Sequence, residues 1–181
     1  MTGVQTCALP IYAQPKKKVM GLEMVKSSTP SSCREKLREA IDVIFDADET
    51  AIQRFIQEFR DEFSSLPIED ISFPRGLNAL AKWSDKKTVY GSGTPIHVRG
   101  ALLYNKMLED MHLSNKYPKI QIGEKLKYIY LKEPNIIKSN VISFPQGGIP
   151  EEFKLSSHID YSTQFNKAFL EPVKIILEAI G

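Results

Sequence analysis

The sequence predicts a helix-dominated α+β domain, and three observations carry that prediction. Residues 31–63 hold two apolar stripes at helical spacing. Leu126, Tyr128 and Tyr130 alternate with Lys127, Ile129 and Leu131 in a segment rich in aromatic and β-branched residues, the mark of a strand. Near the end, Asp160 stands where it can cap a last helix. The chain of 181 residues suits one domain, or two small lobes, and a hydrophobic content of 42% is ordinary for a globular core. Nothing repeats internally, and no segment is of low complexity.

In chain order, Lys18 to Glu23 reads as a short apolar strand. Thr29-Pro30 and Ser32-Cys33-Arg34-Glu35 are overlapping helix starts. Proline is harmless in a first turn, and Ser32 with Glu35 has capping-box spacing. Leu37, Ile41 and Ile44 then share one helical face. A second helix begins near Asp48 or Thr50, with Ile52, Phe55, Ile56, Phe59 and Phe63 at steps of three and four. Joined around Ala47, the two form an αα-hairpin, and the aromatic stripe is packing core.

After Pro67 the pattern loosens. Ile71-Ser72-Phe73 reads as extended, Pro74-Arg75-Gly76 as a turn, and Leu77–Trp83 as a short helix. Lys86–Thr94 reads as an exposed loop. Ile96–Asp110 is helical with Gly100 inside it. An interior glycine costs about 1 kcal/mol relative to alanine, so this one predicts close approach of another backbone. Val141-Ile142-Ser143-Phe144 is a partner strand for 126–130, ended by Pro145-Gln146-Gly147-Gly148. Pro172 should kink or restart the last helix.

The net charge of +2 hides an uneven distribution. Residues 12–39 carry seven Lys/Arg against three Asp/Glu, residues 40–70 two against nine, residues 71–132 eleven against four, and residues 133–181 four against six. Two basic blocks are therefore separated by an acidic one. Binding phosphate needs a local positive field, not a positive total. Catalytic patterns are weak by comparison. Asp46-Ala47-Asp48 resembles a metal-binding carboxylate pair but sits where acidic residues favour a following helix N-terminus. His97, His112 and His158 lack ligand spacing, Gly91-Ser92-Gly93 is too short for a nucleophile elbow, and Gly147-Gly148 opens no phosphate loop. With Cys7 set aside, Cys33 stands alone, which excludes a disulfide framework. No apolar run approaches the roughly 20 residues a membrane span requires, so no membrane partner is expected.

Lys16-Lys17-Lys18-Val19-Met20-Gly21-Leu22-Glu23, followed by Lys26-Ser27-Ser28-Thr29-Pro30, resembles the palm-to-thumb junction of family B replicative DNA polymerases of T-even-type tailed bacteriophages. The resemblance continues through Tyr12-Ala13-Gln14-Pro15, Ser72–Asn78, Leu80–Trp83, Pro95–Asn105, Gly123-Glu124-Lys125, Asp160-Tyr161 and Phe169–Pro172, in order, from Tyr12 to Gly181. It implies an end of the palm over residues 12–26 and a thumb-like domain over 27–181, with an N-terminal αα-hairpin, a small antiparallel β element and a C-terminal helix. The thumb grips primer-template duplex DNA. The resemblance places the catalytic aspartates and their Mg2+ upstream, in the palm of the parent polymerase, so no cofactor is expected in this chain. Palm and fingers are its implied partners. Sliding-clamp binding belongs to a C-terminal tail that these residues do not match. The implied setting is the cytoplasm of an infected bacterium.

A domain that follows a duplex through its backbone needs cations, small hydroxyls and exposed N–H groups. Lys18 ends the first basic run. Lys26 with Ser27, Ser28 and Thr29 offers a charge and three hydroxyls at a helix start, and the resemblance puts Lys26 near the primer strand. Arg75, Gly76 and Asn78 offer a second clamp, which Lys82, Lys86 and Lys87 extend. Arg99 either faces DNA or enters a buried ion pair. Lys106, Lys125 and Lys127 are candidates by charge, and Tyr104 and Asn105 brace their helix. Two other readings remain: a stand-alone phage nucleic-acid-binding accessory protein, and an interaction module with Phe55 and Phe59 facing a partner. Met1–Ile11 resembles the conceptual translation of a common sequencing adapter. A native N-terminus or a signal sequence is the alternative, but the stretch has no Lys or Arg and only a short apolar part. The chain thus reads as a fragment truncated at both ends, with residues 1–11 outside the fold.

Overall fold

Helices α1 (Ser31–Asp46) and α2 (Glu49–Phe63) form the expected hairpin in the computed structural model, which describes residues 23–46, 48–85 and 87–180. Lys36, early in α1, lies 3.7 Å from the carboxylate of Glu62, late in α2, so the two run antiparallel. Asp48 caps α2 by accepting from the Ala51 N–H at 2.9 Å, which accounts for the acidic residue there. The predicted stripe is core. Phe59 and Phe63 are 2% and 1% exposed, and Phe59 meets Phe63, Phe165 and Phe169 with ring centroids 5.7, 5.6 and 4.8 Å apart. Phe55 also packs on Phe169, at 6.4 Å. This overturns the reading in which Phe55 and Phe59 face a partner.

The start of α1 differs from the capping-box expectation. The carbonyl of Pro30 accepts the first helical bond, from Arg34 N–H at 3.0 Å, so the helix begins ahead of Ser32. The Ser32 hydroxyl instead donates to the Asp70 carbonyl at 2.8 Å. Of the strand expected over Lys18–Glu23, residues 18–22 lie outside the described residues, as do residues 1–11 and Ala47. Glu23 itself opens a 3₁₀ turn, Glu23–Val25.

Three strands form an antiparallel sheet, β1 (Phe73–Gly76) at one edge, β4 (Lys125–Tyr130) in the centre and β5 (Val141–Phe144) at the other edge. A one-turn helix, α3 (Ile68–Ile71), takes in Ile71, the first residue of the stretch expected to be extended, while Ser72 and Phe73 are extended as expected. Next, β1 (Phe73–Gly76) replaces the expected turn, pairing Arg75 with Leu126 and Gly76 with Lys125 of β4 (Lys125–Tyr130). Pro74 is tolerated because β1 is an edge strand, where a missing donor can be left out of the ladder. The expected helix over Leu77–Trp83 shrinks to a 3₁₀ turn, Ala81–Trp83. Leu77 is fully buried, and its backbone bonds Glu124 at 3.0 Å and Gly123 at 2.8 Å. The following loop contains a minimal ladder, β2 (Ser84–Asp85) with β3 (Val89–Tyr90).

Helix α4 (Ile96–Asp110) lies across β5 (Val141–Phe144), whose four residues are all buried. A Cβ on Gly100 would sit 2.5 Å from the Ser143 nitrogen and 2.9 Å from the Ile142 carbonyl carbon, which is the close backbone approach the interior glycine predicted. The Ser143 hydroxyl donates to the His97 carbonyl at 2.7 Å, locking the same contact. Asn105 braces the helix as expected, exchanging bonds of 2.8 and 2.9 Å with the backbone of Ile120, while Tyr104 is buried against Phe153.

Asp160 caps α5 (Tyr161–Phe165), accepting from Thr163 N–H at 3.0 Å. A π-turn, Asn166–Leu170, then leads into α6 (Glu171–Ile180). The widened turn lies directly before Pro172, whose ring and missing N–H cannot continue the regular ladder. Fully buried Gln164 ties three elements together. Its amide N–H donates to the Ile71 carbonyl, and its carbonyl accepts from Tyr130 N–H at 3.1 Å. Among the described residues, no helix is long and apolar enough to cross a membrane.

Candidate nucleic-acid interface

Three segments distant in sequence meet at one open groove of about 350 Å³, lined by Ser27, Ser28, Pro74, Arg75, Gly76 and Lys125. Long-range strand pairing brings two of them together, because Gly76 stands opposite Lys125 in the β1–β4 register. The third is fastened by Arg75, whose Nη1 donates to the Ser28 carbonyl at 3.0 Å and to the Pro74 carbonyl at 3.1 Å. The result is a concavity with hydroxyls on one wall and two cations on the other. Gly76 leaves its rim open, since a Cβ there would meet nothing within 4 Å.

The turn before α1 sorts its own side chains. Glu23 pairs with Lys26, and its second oxygen accepts from the Thr29 hydroxyl at 3.1 Å. Thr29 is only 3% exposed, so it closes the turn and is not a free hydroxyl for a ligand. Burial corrects its place among the expected DNA contacts. Lys26 remains exposed beside Glu23. The strand pattern of Lys18–Glu23 hides this role of Glu23, because a three-residue spacing from Lys26 makes a contact on a helical turn and not on a strand.

The other expected contacts scatter. Lys18 and Lys86 lie outside the described residues. Asn78 is exposed just past β1. Lys82 lies over the Trp83 indole, 5.1 Å from the ring centroid. Lys106 is paired with Asp110 and borders a separate hollow with Asp85, Glu109 and Lys119, a mixed-charge surface apart from the groove. Lys127 donates to the Glu69 carbonyl at 2.6 Å. Among the described residues, Arg99 does not enter the buried ion pair offered as one of its two fates. It donates to the Asn140 side-chain carbonyl at 2.6 Å and lies 5.8 Å from the centre of the Tyr90 ring.

His97 lacks metal-ligand spacing but stands near the groove's arginine. Partial burial, and secondarily the Arg75 cation, hold its pKa below the ordinary 6.5. Tyr128, beneath the same arginine on β4, is pushed up to about 12, mainly by burial. Among the described residues no group of three or more His, Cys, Asp or Glu could hold a metal ion. Arg75 is held by two backbone carbonyls, and Lys125 and the side chains of Ser27 and Ser28 border the same groove, a set of groups able to bond an anion.

No protein-family model matches the chain. It is 32% identical over 173 residues to the DNA-directed DNA polymerase of Enterobacteria phage T4, a stretch covering 94% of the chain and 19% of that polymerase. The DNA-directed DNA polymerase of Escherichia phage RB69 is likewise 32% identical over 166 residues, covering 90% of the chain and 18% of the relative. The chain belongs to the T4-type family B DNA polymerases. It spans less than a fifth of the length of these curated relatives. The fold agrees: the family B DNA polymerase of the hyperthermophilic archaeon Pyrobaculum calidifontis superposes with a TM-score of 0.54 over 85% of the chain and 18% of its own length, at 12% identity. The T4-type membership and the helix-dominated α+β fold expected from the sequence therefore stand together.

Proposed function

We propose that the chain is the thumb of a phage replicative DNA polymerase, with residues 12–26 the end of its palm, and that the groove grips the backbone of primer-template duplex. One observation carries the reading. Ser27, Ser28, Arg75, Gly76 and Lys125, each singled out from sequence as a phosphate contact, converge on a single groove. Family membership supports the same reading, and phosphate contacts of this kind position a duplex without reading its sequence. Template-directed synthesis is then a property of the complete polymerase in the cytoplasm of an infected bacterium. Its Mg2+ belongs with carboxylates outside this chain, and its palm and fingers are the chain's protein partners. A purified 181-residue chain should not extend a primer.

The test is fluorescence anisotropy with duplexes of unrelated sequence across a salt series. Expected affinities lie in the non-specific range, Kd on the order of 10⁻⁴–10⁻⁶ M at physiological salt, falling steeply as salt rises. Affinity independent of salt, or strong preference for one sequence, would sink the thumb reading and favour a stand-alone accessory protein.

A further inference from the structure

Arg75 is half-buried, and it is a wall of two neighbouring concavities at once. One is the groove of Ser27, Ser28 and Lys125; the other lies between Glu23, Thr29 and the aromatic face of β4. Its Nη1 is spent on two carbonyls, those of Ser28 and Pro74, 47 and 1 residues away in sequence. On the far side of the same turn, Glu23 holds Lys26 and Thr29. The turn is thus fastened from both sides: Glu23 draws two side chains away from the groove, and Arg75 fixes the Ser28 carbonyl against β1. Nothing else described ties Ser28 to the sheet by a hydrogen bond.

We infer that Arg75 is a positioning residue: it orients the Ser27–Ser28 turn so that these hydroxyls, with Lys125, meet a phosphodiester, instead of acting only as a charge of its own. The inference deepens the thumb reading and rests on it for the DNA measurements. Its physical root is the rigid guanidinium. The two N–H bonds of one terminal nitrogen lie fixed in its plane and reach both carbonyls, whereas a lysine ammonium at the same place supplies charge on a freely rotating head. Charge and position are therefore separable by one substitution.

Two experiments on the 181-residue chain test it. In the first, Arg75→Lys is compared with Arg75→Ala in duplex binding, alone and combined with Ser27→Ala/Ser28→Ala. A positioning role predicts that Arg75→Lys keeps the salt slope yet binds roughly fivefold more weakly, the loss expected for one hydrogen bond. It also predicts that removing the two hydroxyls costs little further in the Arg75→Lys background, a non-additive cycle. A merely electrostatic role predicts wild-type binding for Arg75→Lys, additive hydroxyl losses and a slope reduced by about 0.9 for Arg75→Ala; that result overturns the inference. In the second, amide hydrogen exchange is followed without DNA. Arg75→Lys should speed exchange at Thr29, whose N–H bonds the Lys26 carbonyl at 3.2 Å, and leave Ser143 in β5 protected. Unchanged exchange at Thr29 overturns the inference, while loss of protection throughout would send the test to Arg75→Gln, for which the same local change is expected. Lys125→Ala serves as the control on the thumb reading: if it and the wild type bind duplex alike, that reading fails, whatever exchange shows about the turn.

Discussion

Replacing Gly100 by alanine is the sharpest test of how α4 seats on the sheet. A new Cβ would stand 2.5 Å from both the nitrogen and the hydroxyl oxygen of Ser143, and 2.9 Å from the Ile142 carbonyl carbon. Two of those three atoms are backbone of a strand whose four residues are all buried, so β5 has nowhere to retreat. Overpacking of this kind costs about 1–3 kcal/mol, and a backbone clash belongs at the upper end. The substitution also regains about 1 kcal/mol of helix propensity. The net expectation is a loss of about 2 kcal/mol, or roughly 4–8 °C in Tm for a domain of this size. Thermal melts followed by circular dichroism would measure it, with Gly147→Ala as the companion, since a Cβ there meets nothing within 4 Å. Gly147→Ala should stay within about 0.5 kcal/mol of wild type. A Gly100→Ala variant that melts at or above the wild-type temperature would refute the packing argument, because propensity would then have outweighed contact.

Gln164→Leu should destabilise by about 2 kcal/mol or more, since it leaves the Ile71 carbonyl and the Tyr130 N–H buried without their shared partner; denaturant melts would show it. Cys33 is fully buried with its thiol pushed up to about 12 by burial, so peptide mapping should find it unmodified by iodoacetamide until denaturant unfolds the chain. The depressed pKa of His97 means the unfolded chain takes up its proton first: its stabilising contribution is full above pH 6.5 and declines as pH falls below that value. His97→Gln should flatten that part of the stability–pH curve, and an unchanged curve would count against the burial argument. Lys125→Ala should weaken duplex binding to all sequences alike and lower the slope of log K against log salt by about 0.9, whereas Glu58→Gln, on the acidic hairpin, should leave both unchanged.

Local signals decided a good part of the molecule before any contact was known. The hairpin of α1 and α2 is written in the spacing of Leu37, Ile41, Ile52, Phe59 and Phe63, because a helix buries one face whatever it packs against. Asp48 and Asp160 announce their helices because a cap is satisfied within three residues. Gly100 betrayed a close backbone neighbour without saying which one. The T4-type membership was also legible, in short blocks kept in order along the chain.

What failed locally failed for one reason. Pro74-Arg75-Gly76 has turn residues, yet it is a strand, because its partner is Lys125–Leu126–Lys127 some fifty residues away and no local window contains that pairing. Ser32 with Glu35 spells a cap, yet Ser32 is taken by Asp70 across 38 residues. Among the candidate phosphate contacts, sequence supplied residue types and only the tertiary structure chose among them. Burial withdrew Thr29, ion pairing turned Lys106 toward Asp110, and strand register set Lys125 beside Gly76. Charge and hydrogen-bonding capacity belong to a side chain wherever it stands, but which of them share a groove depends on long-range pairing, and that is a property of the folded chain alone.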